Sequence, residues 1–325
     1  MFNLTHEIYN DADKAREHLE AIHWPNGPVC PTCGNCDPER ITKLMGKSTR
    51  PGVYKCKECR SPFTVTVGTV FERSKIALNK WVLAAHLMAA SKKGMSAHQL
   101  HRMLGVTYKT AWFMAHRIRE AMKENHATPM GGDGKTVEAD ETYIGKRETP
   151  PVLSRGRIAK PTKSGKAGGA HKRVVVGLVE RGGQVRTFHI NHATKETVKE
   201  VLDANVSKET NLYTDESRLY KATGKEYADH QTTKHSGGEY VRYDGDKVIH
   251  TNTIENVFSV FKRGMIGVYQ HCGEAHLHRY LVEFDFRYNR RAALKVSDAE
   301  RAEDILRMAR DKRLTYRRFS PAVNA

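Results

Sequence analysis

The sequence predicts a chain of several domains: a small ribbon built around a metal, a helical segment, and a mixed α/β domain. Three observations predict this. Two Cys-x-x-Cys pairs, Cys30/Cys33 and Cys56/Cys59, stand with 22 residues between them in a stretch punctuated by Gly and Pro. Residues 78–122 hold three helical runs separated by glycine breaks. From residue 136 onward the runs follow the order strand, strand, strand, helix, strand, the opening of a mixed α/β domain.

Taken in order, residues 5–22 space Ile8, Ala12, Ala15, Leu19 and Ile22 helically, and the Trp24-Pro25-Asn26-Gly27 cluster should end that helix. Each cysteine pair then forms a tight knuckle that aims two sulfurs at one ion, and two knuckles complete a tetrahedron of thiolates. The expected ion is zinc, in a structural role because four protein thiolates leave no open position. Cys36 reads as a spare thiol and Cys272 as a packing residue; a part for Cys36 or His23 in the metal site stays open. The bland alternative is free thiols that merely pack.

Residues 78–91, 96–104 and 107–122 read as helices, and the last two, joined by a turn at Gly105, have the layout of a helix-turn-helix. Thr107 is the expected cap of the second helix. Tyr108, Lys109 and His116 are candidate outward contacts, and Arg117 and Arg119 candidate phosphate clamps. A plain three-helix bundle with a solvated basic face is the alternative. Residues 125–135 (NHATPMGGDGK) read as a linker.

In the α/β segment, Asp140 lies inside the strand-like stretch VEADETYIG and Asp215 at the end of the short strand NLYTDES. In α/β sheets ligand sites open at strand ends. Residues 253–263 form a helix whose buried stripe is Ile254, Val257, Phe258 and Phe261. Glu255 and Lys262, seven apart, share a face beside that stripe. Taken singly, each carboxylate reads as a cap or salt-bridge partner. Together, three carboxylates on two strands and a helix are the minimum that holds two divalent ions about 4 Å apart for phosphodiester chemistry. Glu141 and Glu216, next to the aspartates on their strands, should point to the opposite face.

Charge points to the partner. The chain has 54 Lys+Arg against 37 Asp+Glu, a net +17, and a polyanion such as DNA is the expected ligand. Residues 41–135 carry 17 basic and 5 acidic side chains, and residues 146–173 carry nine basic side chains and one acid. That second, Gly/Ser-rich stretch reads as a flexible basic loop, with Lys163, Lys166, Lys172 and Arg173 as DNA contacts. No apolar run is long enough for a membrane span and the N-terminus lacks a secretory pattern, so no membrane partner is expected and a cytoplasmic, nucleoid-associated protein is.

These residues resemble a known family, the DDE transposases of bacterial insertion sequences that carry an N-terminal zinc ribbon. The matching stretches are WPNGPVCPTCG, the second Cys-x-x-Cys, GTVFERSK, VEADETYIG, YTDES and HTNTIENVFSVFKRG, spread over residues 24–290. The last two, in this order after a ribbon and a helical segment, are specific; the cysteine pairs alone are not. The resemblance implies a ribonuclease-H-like catalytic domain, Mg²⁺ or Mn²⁺, and cut-and-join chemistry by a 3′-OH. By position it implies Asp140, Asp215 and Glu255 as the catalytic, magnesium-binding carboxylates and Lys262 as the basic residue beyond them. Asn252 and Asn256 flank Glu255, but a carboxylate binds Mg²⁺ better than an amide. Lys262 and the adjacent Arg263 would meet DNA phosphate.

The organisation so read is an N-terminal helix (1–27), zinc ribbon (28–72), helix-turn-helix segment (73–124), linker (125–135), ribonuclease-H-like domain (136–292) and basic C-terminal tail (293–325). The expected partners are the terminal inverted repeats and target DNA, bound by a homodimer or higher oligomer, since two ends must be joined. The competing functions are a metal-dependent nuclease that does not join strands and a zinc-ribbon DNA-binding regulator without catalysis.

Overall fold

The computed structural model describes residues 3–148, 171–245 and 247–315. The chain divides into two compact units, Met1–Lys123 with Arg291–Ala325, and Glu124–Arg290.

The first unit opens with helices α1 (Glu7–Asn10) and α2 (Ala12–His23). A single helix over residues 5–22 was expected; Asp11 divides it, because its carboxylate accepts from the backbone N–H groups of Asp13 and Lys14 and caps α2. Strands β1 (Ile41–Lys43), β2 (Tyr54–Cys56) and β3 (Pro62–Phe63) form an antiparallel ribbon. Its small core is aromatic: Trp24 meets Tyr54 and Phe63 edge-on at 5.3 and 5.8 Å. Helices α3 (Leu78–Ala90), α4 (Ala97–Leu104) and α5 (Tyr108–Met122) follow. Trp81, Val82, Ala84, Ala85, Leu87, Met88 and Ala89 of α3 are all buried, so this helix is covered on several sides. The capping box of Ser96 and Gln99 starts α4, and Gly105 ends it in the left-handed region at φ 59°.

The C-terminal segment departs from the tail expected for residues 293–325. It forms helix α9 (Asp298–Arg307), opened by a Ser297/Glu300 capping box, with Ala302, Ile305 and Leu306 buried. α9 packs on α3 and α2, and the His23 ring nitrogen Nε2 lies 2.8 Å from the Leu306 carbonyl. Ala302, Ile305, Leu306 and Ala309 repeat at helical spacing, and burying that stripe outweighs the basic character of the surrounding sequence.

The second unit is a five-stranded mixed sheet in the order β6-β5-β4-β7-β8, formed by β4 (Thr136–Ile144), β5 (Arg173–Glu180), β6 (Val185–Ile190), β7 (Asn211–Asp215) and β8 (Asp229–Thr233). β6, β5 and β4 pair antiparallel, and β4, β7 and β8 parallel. Helix α6 (Lys195–Asn205) makes the crossover to β7 and covers one face through Val198 and Leu202, packed on Val137, Ala139, Val176, Leu178 and Leu212. Helices α7 (Asn252–Gly264) and α8 (Leu277–Asn289) cover the other, where Ile254, Val257, Phe258 and Phe261 meet Val175 and Val179. Covered on both faces, β5 is apolar almost throughout. Residues 130–135, expected as linker, belong to this unit: Met130 is buried, and it bridges to Val206.

Two details fix the helices on the sheet. Gly177 of β5 pairs with Asp140, and a Cβ there would stand 2.7 Å from both Ile254 and Phe258, so only glycine lets α7 come this close. On the outer edge of β6, Asn289 of α8 accepts from the Val185 N–H and donates to its carbonyl, while Asp285 accepts from the Thr187 N–H. The sheet edge is thereby closed by side chains rather than by another strand. A short hairpin, β9 (Arg242–Asp244) and β10 (Lys247–Ile249), precedes α7.

Candidate functional site

Two of the three expected carboxylates meet at the parallel junction of the sheet. Ala139 of β4 pairs with Thr214 of β7, so Asp140 and Asp215 follow at matching positions of adjacent parallel strands. Each offers a carboxylate oxygen in a group whose atoms lie within 4.8 Å of one another. The third member of that group is Glu141 rather than Glu255. This corrects the expectation that Glu141 faces away. β4–β7 pairing stops at Ala139, so beyond it β4 is flanked by β5 alone, and on the open β7 side a long side chain reaches around to the aspartates. The Tyr220 hydroxyl donates to Glu141 at 2.9 Å and holds it there. Glu216 behaves as expected: its carboxylate accepts from the Ser236 N–H, away from the group.

The electrostatics are those of crowded acids, with His235 partly offsetting the charge at Asp215. Burial, then the neighbouring Asp215 and Glu141, push Asp140 up to about 8, although the Glu141 N–H bonded to it pulls the other way. Burial likewise raises Asp215 and Glu141. Hard oxygen donors this close, each costly to ionise beside the next, fit a divalent cation, which relieves the repulsion.

Glu255 is the fourth residue of α7 and is exposed, with the His235 ring 3.5 Å away and the Thr251 hydroxyl at 3.5 Å. It is close enough to raise Asp140 further. Lys262 lies two turns further along α7, half-buried. The sequence reading missed Glu138. Two residues before Asp140 and on the same strand face, it is fully buried and bonded to the start of α7. The alternation in VEADETYIG, with Val137 and Ala139 on one face and Glu138 and Asp140 on the other, was the signal that could have found it.

The four expected cysteines also converge. The Sγ atoms of Cys30, Cys33, Cys56 and Cys59 form one group, with Cys30 to Cys59 at 3.6 Å and Cys33 to Cys56 at 3.7 Å. A tetrahedral zinc with Zn–S of about 2.3 Å needs sulfurs about 3.8 Å apart, so the donor set fits. The backbone N–H of Cys59 and the Asn35 amide pull the Cys56 thiol down to about 6. All six cysteines are free of disulfides. Cys36 is exposed outside the group, and Cys272 is buried in the core beneath α7 and α8.

Comparison with known proteins places both clusters in one family. Residues 131–289 match the ISXO2-like transposase domain and residues 10–61 the transposase zinc-ribbon domain, together well over half of the chain. The chain carries an ISXO2-like transposase domain behind a transposase zinc ribbon. The first match spans Asp140, Asp215 and Glu255, and the second all four clustered cysteines. An uncharacterised protein in transposable element ISH50 of Halobacterium salinarum is 29% identical over 281 residues, 84% of this chain and 90% of that protein. Among solved structures, that of the Mos1 strand transfer complex matches at 11% identity over 66% of this chain and 78% of that one, with a TM-score of 0.20 that carries no weight for the fold.

For this transposase-family chain the expected DNA contacts divide. Tyr108 and Lys109 are exposed at the start of α5, behind the cap made by Thr107, and Tyr108 stacks on His98. His116, Arg117 and Arg119 are buried, which corrects their reading as outward contacts and phosphate clamps. The reason is packing: α5 lies against α3, α4 and α9, so its later turns have little free face. Arg117 donates to the Glu72 carbonyl and its guanidinium sits over the Trp81 and Phe113 rings. Arg173 is also buried and donates to the Cys272 carbonyl, so it too is structural, whereas Lys172 and Arg263 are exposed. Lys163 and Lys166 lie outside the described residues. Among the described residues no helix is long and apolar enough to cross a membrane.

Proposed function

We propose that this chain is a DNA transposase that cleaves at the ends of an insertion sequence and joins the resulting 3′-OH to target DNA. The observation that supports the reading is the convergence of the Asp140 and Asp215 carboxylates from adjacent parallel strands, inside the matched transposase domain that also spans Glu255. Asp140, Asp215 and Glu255 would hold Mg²⁺ or Mn²⁺, with Glu141 a further carboxylate within reach. Divalent cations held there would supply Lewis-acid activation of the attacking oxygen and charge neutralisation at the leaving one.

The chain's own residues do the rest. The carboxylates would fix where the scissile phosphate sits, and Asp140 would lose to solvent, on cation binding, the proton that burial and crowding keep on it. Lys262, on the same helix face as Glu255, pairs with a flanking phosphate. The zinc ribbon is a structural module, and with the α4–α5 helix-turn-helix it reads the terminal inverted repeats through Tyr108 and Lys109. Arg263 and Lys172, with Lys163 and Lys166 of the basic loop, follow flanking or target DNA. Joining two ends makes the working form a dimer or larger, acting in the cytoplasm where the nucleoid is.

The test incubates the protein with Mg²⁺ or Mn²⁺, labelled DNA bearing the element's ends, and a supercoiled plasmid. Cleavage followed by joining, lost in Asp140→Asn and Asp215→Asn, is the expected result. Cleavage without joining would make the chain a nuclease, and binding without cleavage a regulator.

A further inference from the structure

α7 carries Glu255, and its cap residue Thr251 makes no side-chain bond to the first turn: the His250 ring accepts from the Asn252 N–H, which leaves the N–H groups of Thr253 and Ile254. Helix N-termini leave such donors unsatisfied unless something else accepts from them. Here the acceptor comes from the sheet. Glu138 Oε2 accepts from the N–H groups of Thr253 at 2.9 Å and Ile254 at 3.1 Å, and Oε1 from the Thr253 hydroxyl at 2.9 Å. The Arg181 Nε donates to Oε1 at 2.7 Å, and the His250 ring lies 3.2 Å from the same atom. Arg181 itself rests on the Tyr213 ring and donates to the carbonyls of Val248 and His250, the approach to α7. Both carboxylate oxygens are used, and the side chain is 0% exposed.

Glu138 and Asp140 stand two apart on β4, on the face that meets α7. One rigid strand therefore carries both a metal-binding carboxylate and the anchor of the helix that brings another. We propose that Glu138 is a positioning residue, which fixes the first turn of α7 and through it the distance of Glu255 from Asp140 and Asp215. This rests on the reading of Glu255 as a metal ligand. A buried carboxylate kept only for stability would serve wherever it was satisfied. This one is spent on the single turn that precedes Glu255, which lies one residue past the last N–H that Glu138 binds.

The test is calorimetric titration of the full chain with Mn²⁺ alone, no DNA present, alongside the Mn²⁺ concentration that gives half-maximal cleavage. Glu138→Gln keeps the shape but replaces one of the two acceptor oxygens with an N–H donor and removes the charge paired with Arg181. It should weaken Mn²⁺ binding by about tenfold or more, as loss of a group orienting a ligand does, and shift the cleavage midpoint, with activity recovering at high Mn²⁺. Glu255→Gln should weaken binding similarly, and the double variant no further than Glu255→Gln alone. Thr253→Val, which deletes one bond to Glu138 and no charge, should shift the midpoint in the same direction by a smaller factor, and decides the matter if Glu138→Gln does not fold. The positioning role is overturned if Glu255→Gln weakens binding while Glu138→Gln, or in its place Thr253→Val, lowers only the active fraction, or if the two losses add. Unchanged Mn²⁺ binding in Glu255→Gln would instead remove Glu255 as a ligand, a separate failure.

Discussion

Asp140 sits where function and stability oppose each other. Held up to about 8 by burial and by Asp215 and Glu141, it binds a proton in the folded chain that it would release when unfolded. A folded-state value above the unfolded one means that stability falls as pH rises, here from about 4 to about 8. Asp140→Asn removes that penalty. In EDTA at pH 8 the variant should be more stable than the parent by roughly 1–3 kcal/mol, discounted for the partial solvent access of the site, with a flatter pH dependence. Thermal melts at pH 5 and pH 8 check this, and added Mn²⁺ should stabilise only the parent. A stability gain of the variant over the parent that does not grow between pH 5 and pH 8 would contradict the crowding. At this scale the sequence was informative about Asp140 and Asp215, because strand ends and residue type sufficed. It misplaced Glu141, since β4 is open on its β7 side beyond Ala139 and a long side chain there reaches the aspartates, and it could not see that Glu138 is shared between a strand and a helix 115 residues away.

Among the elements, α7 depends on one missing side chain. Gly177 lies opposite Asp140 on β5, and any Cβ there strikes Ile254 and Phe258. Gly177→Ala should cost about 1–3 kcal/mol by overpacking, and because α7 must move outward it should also weaken Mn²⁺ binding. Gly182→Ala, strained by its own backbone at φ 74° but with nothing within 4 Å of its added Cβ, should leave Mn²⁺ binding unchanged. Equal Mn²⁺ affinity in Gly177→Ala and the parent would show that the approach of α7 does not govern the site. The long, periodic or apolar elements were legible: α3 to α7 and β4 to β7 all stand where patterning put them. β8 was not, because the DHQTT strand is polar and pairs on one side only. α9 was missed although its apolar stripe is plain, since a basic C-terminal sequence reads as a tail until something is known to bury it. That omission also exposed the far turns of α5 on paper, and His116, Arg117 and Arg119 with them.

For the molecule as a whole, charge and metal chemistry point the same way. A net charge of +17, a thiolate ribbon and a carboxylate cluster in one chain suit a protein that must hold DNA while cutting it. The C-terminal segment returns to the N-terminal unit, so that unit is assembled from both ends of the sequence and the carboxylate-bearing unit lies between them in the chain. No linear reading of domains anticipates that closure. In the proposed reaction the carboxylates serve joining as well as cutting. A pre-cleaved element end, with either a 3′-OH or a 3′-deoxy terminus, incubated with plasmid and Mn²⁺ tests this. Covalent end–plasmid joints are expected from the 3′-OH end only, and none with Asp140→Asn. Absence of joints from the 3′-OH end, or joints that persist in Asp140→Asn, would contradict it.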